Sequence, residues 1–136
     1  MMPIQRTRAV GIDPKVWGPP LWRVLHTAAE RVPVASAAWV AVVDALKTSL
    51  PCAECTGHYV AWVSDVTRRV VEGETDMRAW WLALHNDVNR RTRKGIWTAA
   101  DVTAAYGEAT TAAAAEALTA LEGKLGDAGL AALRAL

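Results

Sequence analysis

Apolar residues recur every three or four positions along most of this chain, which is the spacing of helices that bury one face. The first helix is expected to end before Pro33, while Pro51 is expected to end the second and to open the third. Gly95 is a natural end for the fourth. The predicted helices cover about residues 20–31, 35–49, 52–71 and 75–94. The pattern therefore predicts an all-α fold.

The second and third predicted helices carry the clearest apolar stripes. Because each stripe repeats at helical spacing, one face of each helix is expected to join the core. The residues expected to face inward are Trp39, Val42, Val43, Leu46 and Leu50 in the second helix, and Tyr59, Trp62, Val63, Val66 and Val70 in the third.

From residue 98 onward the sequence is rich in alanine. Leucines at helical spacing predict that this Ala-rich extension is ordered, and that it packs on the bundle, lengthens it or pairs with a second copy of the chain. The glycines expected to divide it into short helices are Gly107, Gly123, Gly126 and Gly129. The predicted organisation is an N-terminal arm over residues 1–16, a core over 17–97 and the extension over 98–136.

Composition narrows the class of protein. With 136 residues, 52% hydrophobic and 21% charged, the chain is expected to form one globular domain. A net charge of +1 gives no general attraction to nucleic acid. The most apolar stretch, residues 32–43, contains Pro33 and is shorter than the roughly 20 residues that a membrane span needs. The N-terminus does not resemble a secretory signal, so we expect a soluble, intracellular protein.

Both cysteines, Cys52 and Cys55, lie three positions apart in the segment SLPCAECTGHY. Pro51 places them at the start of the third predicted helix, where unpaired N–H groups and the helix dipole favour a thiolate. The spacing also lets the two sulfurs form a disulfide. The first interpretation is therefore a redox-active pair, because structural disulfides are rare inside cells.

Two other interpretations of the cysteine pair stay open. His58 follows at a spacing that suits zinc, and His26 or His85 would supply a fourth ligand, although the chain has no second pair of closely spaced ligands. Alternatively, both cysteines are small buried core residues. The local sequence alone does not decide among the three.

A polar cluster, His85, Asn86 and Asn89, interrupts the otherwise apolar fourth helix, with Trp81 one turn earlier. Asparagine is unfavourable inside helices, so the cluster indicates either a hydrogen-bonded core network or a slot for a flat ring. A basic run follows, consisting of Arg90, Arg91, Arg93 and Lys94. A basic helix end is commonly a solvated face, but this run is also at a suitable distance for a pyrophosphate attached to such a ring.

Three segments in order, WGPPLWRVLHTAAE, PCAECTGHY and WWLALHNDVNRRTRKGIW, resemble motifs of the Erv/ALR-type FAD-linked sulfhydryl oxidases. The resemblance covers residues 17–97 and leaves the last 39 residues without a counterpart. The WGPxxW form is similar to viral members of the family. The resemblance implies a four-helix bundle plus a short fifth helix that binds FAD, usually as a homodimer.

The resemblance also implies roles for individual residues. Cys55 corresponds to the cysteine beside the flavin, and Cys52 to the cysteine that a substrate thiolate attacks. Lys94 corresponds to a basic group near the phosphates, and no metal ligand is implied. The positions that correspond to the FAD site are Gly18, Trp22, His26, His58, Tyr59, Trp80, Trp81, His85, Asn86, Val88, Asn89, Lys94 and Trp97. Trp80 aligns with the family's tryptophan, whereas helical geometry puts Trp81 nearer His85, so either indole is a candidate for the contact with FAD.

The implied activity is oxidation of a protein dithiol to a disulfide, with electrons passing through FAD to O2 and giving H2O2. Leu50 and Thr92 depart from the family pattern, and the second cysteine pair that shuttles electrons in many cellular members is absent. Electrons are therefore expected to come directly from a partner's dithiol, for example that of a thioredoxin-like protein.

Neither nucleic acid nor a membrane is expected as a partner. If the protein is viral, the expected location is the host cytoplasm or the virion. The rival hypothesis from another class is a zinc-stabilised helical interaction module that uses Cys52, Cys55, His58 and a further histidine.

Overall fold

The computed structural model describes residues 11–107 and 111–136. Within these ranges the chain forms seven α-helices, which confirms the all-α prediction. They are α1 (Pro14–Arg31), α2 (Ala37–Ala45), α3 (Ala53–Val63), α4 (Met77–Arg91), α5 (Ala99–Tyr106), α6 (Thr111–Leu121) and α7 (Asp127–Arg134). Short 3₁₀-helices, Leu46–Thr48 and Val66–Arg68, follow α2 and α3. None of the described helices is long and apolar enough to cross a membrane.

Helices α1, α2 and α4 supply the centre of the core. Trp39 of α2 packs at a tilt against Trp81 of α4, with 5.8 Å between the ring centroids, and neither indole is exposed. The Trp39 indole N–H donates to the carbonyl oxygen of Val32 at 2.8 Å, which offsets the cost of burying a polar atom. Burial of each large apolar side chain contributes about 1.5–3 kcal/mol to folding.

Helix α1 begins at Pro14, earlier than the start predicted near residue 20, so that prediction is wrong. Asp13 caps the helix by accepting the Lys15 N–H at 2.9 Å, and Pro14 has the fixed φ that suits a first turn. The helix continues through Pro19 and Pro20. The predicted arm over residues 1–16 thus overlaps α1 at its end, and residues 1–10 of it lie outside the described ranges.

Helix α3 is shorter than predicted and ends at Val63 rather than near residue 71. Asp65 has an extended backbone and accepts the Thr67 N–H at 2.8 Å, which starts the separate 3₁₀-helix. The prediction that Val66 faces inward is wrong, because this side chain is 79% exposed. The bend after α3 removes it from the helical stripe on which the prediction was based.

Helix α4 is capped by Asp76, but it ends at Arg91 rather than at residue 94. The Thr92 hydroxyl donates to the Val88 carbonyl at 2.9 Å, and Arg93 adopts a φ of 60°. Arg93 therefore occupies the left-handed position that the sequence suggested for Gly95. The end of α2 agrees better with the prediction of residue 49, because the 3₁₀-helix that follows α2 continues to residue 48.

The Ala-rich extension packs on the bundle, which is the first of the three predicted alternatives. Helix α6 lies against α1, and α7 lies against α2. Gly123 makes the turn between α6 and α7 with a φ of 76°. Gly129 does not divide the helices as predicted, because it lies within α7 and is buried against Ser49. Leu121 and Leu125 of the extension belong to the main core.

Candidate active site

Cys52 and Cys55 form a disulfide at the N-terminus of α3, with their Cα atoms 5.2 Å apart. Cys52 is the N-cap residue rather than the first helical residue, and its Sγ accepts the Cys55 N–H at 3.1 Å. Both cysteines are half-buried and pack against the core. A sulfur at this position receives the field of the helix N-terminus, which stabilises negative charge.

A second cluster contains five aromatic rings from α1, α4, α5 and the segment between α4 and α5. The Trp22 and His85 rings are parallel within 4°, with centroids 3.9 Å apart. Tyr106 stacks on His26 at 4.9 Å, and Trp97 lies 5.7 Å from His85. This ring cluster, made of Trp22, His26, His85, Trp97 and Tyr106, brings together four residues that the sequence predicted for one ring-binding site.

The two histidines of the ring cluster are joined directly. His26 Nε2 lies 2.9 Å from His85 Nδ1, so one imidazole donates a hydrogen bond to the other. Burial, with a smaller repulsion from His85, lowers the pKa of His26 to about 3. Burial, with a smaller repulsion from Lys94, lowers the pKa of His85 to about 4. Both rings are therefore neutral at physiological pH.

Asn86 holds the segment that carries Trp97. Its side-chain amide donates to the Trp97 carbonyl at 2.8 Å, and its carbonyl oxygen accepts the Trp97 N–H at 2.9 Å. These two bonds fix the Trp97 backbone beside α4, with the indole facing His85. Asn86 thus positions an aromatic neighbour, and the contact with FAD that the sequence predicts for it stays a prediction.

Several buried polar groups at or near the ring cluster have no hydrogen-bond partner. His26 Nδ1 is one of three such atoms among the described residues, together with Thr27 Oγ1 and Trp81 Nε1. Asn89, 4% exposed and one turn after His85, is a further buried polar residue on the same helix. An unpaired buried polar group costs about 1–3 kcal/mol, so such groups favour a ligand that supplies partners.

Other predicted site residues lie in the core around α3 and α4. The Trp80 indole donates to the Arg68 carbonyl at 2.8 Å and packs edge-on against Trp62. The Tyr59 hydroxyl donates to the Val43 carbonyl at 2.7 Å, and burial raises its pKa. Trp81 is fully buried, but its indole N–H is unpaired. Of the two tryptophans, Trp81 therefore has the free polar atom.

The remaining predicted residues differ in exposure. Lys94 is exposed and lies near enough to His85 to influence its charge. Val88 and Gly18 are half-buried, and a Cβ at Gly18 would enter open space. His58 is exposed on α3. No hydrogen bond or ring contact among the described residues joins the disulfide loop to the ring cluster.

Sequence reasoning missed Tyr106 and Arg23. Tyr106 closes the ring cluster against His26 and Trp97, and the Arg23 guanidinium lies 5.4 Å from the centre of its ring. Burial raises the pKa of the Tyr106 hydroxyl. The available signal was one isolated tyrosine in an alanine-rich helix, where an aromatic side chain is conspicuous.

The geometry does not support a zinc site on the cysteine pair. Cys52 and Cys55 are joined in a disulfide, while His26 and His85 are hydrogen-bonded to each other in the ring cluster. Across residues 11–107 and 111–136, no group of three His, Cys, Asp or Glu side chains is arranged to hold a metal ion.

Comparison with known proteins identifies the family. The family model described as Erv1 / Alr matches residues 19–107, so the chain belongs to the Erv1/Alr family. The match extends through α5 and leaves α6 and α7 outside it.

Curated relatives include several viral proteins. The chain is 27% identical over 96 residues to the FAD-linked sulfhydryl oxidase 347L of Invertebrate iridescent virus 6, covering 62% of this chain and 86% of that protein. It is 32% identical over 91 residues to the corresponding 096R protein of Invertebrate iridescent virus 3, covering 62% of each.

The FAD-linked sulfhydryl oxidase of an African swine fever virus isolate from a warthog is 33% identical over 86 residues, which covers 59% of this chain and 71% of the relative. The resemblance to viral members predicted from the sequence is confirmed. No solved structure matches the chain.

Proposed function

We propose that this protein is an FAD-dependent sulfhydryl oxidase that introduces disulfides into protein dithiols. The observation that carries the proposal is the Cys52–Cys55 disulfide at the N-terminus of α3, in a chain that belongs to the Erv1/Alr family. Relatives named as FAD-linked sulfhydryl oxidases align with about 60% of the chain. A half-buried disulfide of this kind is accessible to a substrate thiolate and close to a packed interior.

The residues of the ring cluster fit an FAD. Trp22 and Tyr106 offer aromatic faces to a flat heterocycle. The unpaired His26 Nδ1 offers a hydrogen bond to its polar edge, and the buried Asn89 amide offers another. Lys94, beside His85, supplies positive charge for the phosphates. The candidate residues Gly18, His58, Tyr59, Trp80, Trp81, Val88 and Trp97 remain part of the proposed site.

The proposed chemistry begins at Cys52. A substrate thiolate attacks the Cys52 Sγ, the Sγ–Sγ bond breaks, and Cys55 leaves as a thiolate. The second substrate thiol, as thiolate, then attacks the mixed disulfide and releases Cys52. The substrate has lost two electrons and the Cys52/Cys55 pair has gained them, while protons pass to solvent or to the thiols.

The helix N-terminus assists both sulfurs. The Cys55 N–H already points at the Cys52 Sγ, and Cys55 lies within the first turn of α3. A thiolate on either residue is therefore favoured by the unpaired N–H groups of that turn. When bound, FAD supplies the two-electron acceptor that reoxidises the pair and passes the electrons to O2, giving H2O2.

The proposed partners follow from the cysteine content. Because the chain has only this one cysteine pair, a protein dithiol must reach Cys52 itself, and a thioredoxin-like protein has suitable chemistry. A homodimer is also proposed from the family resemblance, and light scattering of the purified protein tests it.

The alternative that the sequence left open is a zinc-stabilised interaction module on Cys52, Cys55, His58 and another histidine, which the geometry does not support. An absorption spectrum and a metal analysis of the purified protein distinguish the two. A flavin band with a dithiol-dependent consumption of oxygen supports the oxidase. A colourless protein that carries one zinc per chain would refute it.

A further inference from the structure

In the loop that leads into Cys52, residues 49–52, three of the four backbone carbonyls accept a backbone N–H. Two of the donors belong to the flanking segments of the chain rather than to α3. The donors are the Gly126 N–H to Ser49 at 2.9 Å, the Ile12 N–H to Pro51 at 2.6 Å and the Thr56 N–H to Cys52 at 2.9 Å. The Thr56 hydroxyl also donates to the Cys52 carbonyl at 2.9 Å and lies 3.4 Å from the Leu50 carbonyl. A loop held at three of its four carbonyls has little freedom to shift.

On one side, the loop is in close contact with the segment before α1. A Cβ built on Gly11 would lie 2.7 Å from the Pro51 carbonyl oxygen and 2.9 Å from the Cys52 Cα, so only glycine fits. The Trp17 indole N–H donates to the Ile12 carbonyl at 2.9 Å and holds this segment in place. The backbone of Gly11 thus lies directly against the attacked cysteine.

On the other side, the loop is in close contact with α7. A Cβ on Gly129 would lie 2.7 Å from the Ser49 Cβ and 2.8 Å from its Oγ. Ser49 is 4% exposed and its hydroxyl donates to the Ala45 carbonyl at 2.7 Å, so the side chain is not free to move aside. The extension therefore fixes the first residue of the loop.

Both contacts come from outside residues 19–107, the part that matches the family. We propose that these two flanking segments position the Cys52–Cys55 disulfide for thiol exchange, with Gly11 and Gly129 as positioning residues. The inference rests on the proposed exchange at Cys52. A substrate sulfur must approach in line with the bond that breaks, so a fixed loop favours one productive orientation.

The test compares Gly11→Ala, Gly129→Ala and the control Gly57→Ala in the full-length, FAD-loaded protein. A Cβ on Gly57, within α3, would meet nothing within 4 Å, although this residue is only two positions from Cys55. The disulfide is reduced by dithiothreitol in the absence of oxygen. At each time point the free thiols are labelled with a maleimide, and mass spectrometry of the intact protein measures the labelled fraction. Without oxygen, electrons that pass from the reduced pair to FAD stay on the flavin, so the flavin absorbance is recorded together with the protein mass and both count towards the exchange rate.

We expect Gly11→Ala and Gly129→Ala each to lower the rate of thiol exchange by about tenfold, because small displacements of reacting atoms slow a reaction steeply. Gly57→Ala should stay within about twofold, as surface substitutions do. The double variant Ser49→Gly with Gly129→Ala should recover most of the rate, because it removes the two atoms that the new methyl group would meet at less than 3.0 Å.

Bound FAD and the melting temperature are measured on the same samples, since a purely structural role would lower stability without a specific change in exchange. If Gly129→Ala does not fold, the exposed Gly11→Ala decides the question. Folded variants at both glycines with the parent exchange rate would overturn the inference. Parent protein that exchanges thiols but consumes no oxygen would refute the proposed oxidase and leave the positioning inference standing.

Discussion

His26 and His85 have two roles, because they form a buried hydrogen bond in the folded protein and also belong to the ring cluster. A hydrogen bond of 2.9 Å joins His26 Nε2 to His85 Nδ1. Burial lowers the pKa of His26 to about 3 and that of His85 to about 4. The folded protein therefore favours their neutral forms, whereas an unfolded chain protonates them near pH 6.5. A ring cluster with two neutral imidazoles can stack with an uncharged heterocycle without an added positive charge.

The histidine pair predicts a pH dependence of stability. The unfolded state binds more protons below pH 6.5, so the free energy of unfolding falls as the pH drops from 6.5 towards 4 and 3, by up to about 1.4 kcal/mol per pH unit for each histidine. Above pH 6.5 both histidines are neutral in the folded and the unfolded state, so they no longer change the free energy of unfolding with pH. Denaturant unfolding between pH 4 and 7 measures it.

A matched pair of variants isolates the effect. His26→Gln should flatten the pH slope, since one of the two buried imidazoles is removed. His85→Gln, which removes the other imidazole of the pair, should flatten the slope as well. Equal slopes for His26→Gln and the parent protein would contradict the prediction.

At the scale of elements, α4 organises the candidate site from one end to the other. It carries His85 and Asn89 and, through Asn86, fixes the segment that holds Trp97. The segment then enters α5, which starts with a capping box of Thr98 and Asp101 and carries Tyr106. One asparagine side chain thus couples two helices of the ring cluster.

Asn86→Ala tests that coupling. Loss of two hydrogen bonds to the Trp97 backbone should cost about 1–3 kcal/mol of folding stability and weaken FAD binding, because Trp97 is no longer held beside His85. Thermal melting and flavin retention during gel filtration are the measurements. Asp87→Ala is the neighbouring control, which removes only a surface ion pair with Arg91 and should cost about 0–1 kcal/mol. The coupling is absent if both variants behave alike.

The helices show what periodicity predicts well and what it misses. Buried stripes such as Trp39 and Val42 were predicted correctly because tertiary burial and helical spacing agree. The ends were less accurate, because capping decides them. Asp13 starts α1 early, Asp65 separates a 3₁₀-helix from α3, and Arg93 takes the position expected for Gly95.

The candidate site was predictable where chemistry was local in sequence. The cysteine pair and the cluster around His85 could be found from residue type and spacing. Tyr106 could not, because its contacts with His26 and Trp97 depend on how α5 packs against α1 and α4. The same limit applied to Asn86, whose partner is a backbone group 11 residues away.

At the scale of the whole molecule, the extension is part of one core. Leu121 is fully buried, and α6 lies along α1 while α7 lies along α2. The core therefore includes residues beyond the family match at 19–107. We expect the chain to unfold in a single cooperative transition, because both parts share buried contacts.

Leu121→Ala tests this shared core. Truncation of a fully buried leucine should cost about 2–5 kcal/mol and shift the whole unfolding transition to lower denaturant. Leu118→Ala, at a half-buried position on the same helix, should cost less. A separate, early transition for the extension, with the main transition unchanged, would contradict the shared core.

The central claim is that the Cys52–Cys55 disulfide transfers electrons from a dithiol to bound FAD and then to oxygen. Oxygen consumption in the presence of a dithiol, measured on parent protein and Cys55→Ser while the flavin absorbance is recorded, tests it most directly. The account predicts turnover by the parent protein, and loss of turnover in Cys55→Ser with the flavin still bound. Undiminished oxygen consumption by flavin-loaded Cys55→Ser, or no flavin in the parent protein, would contradict it.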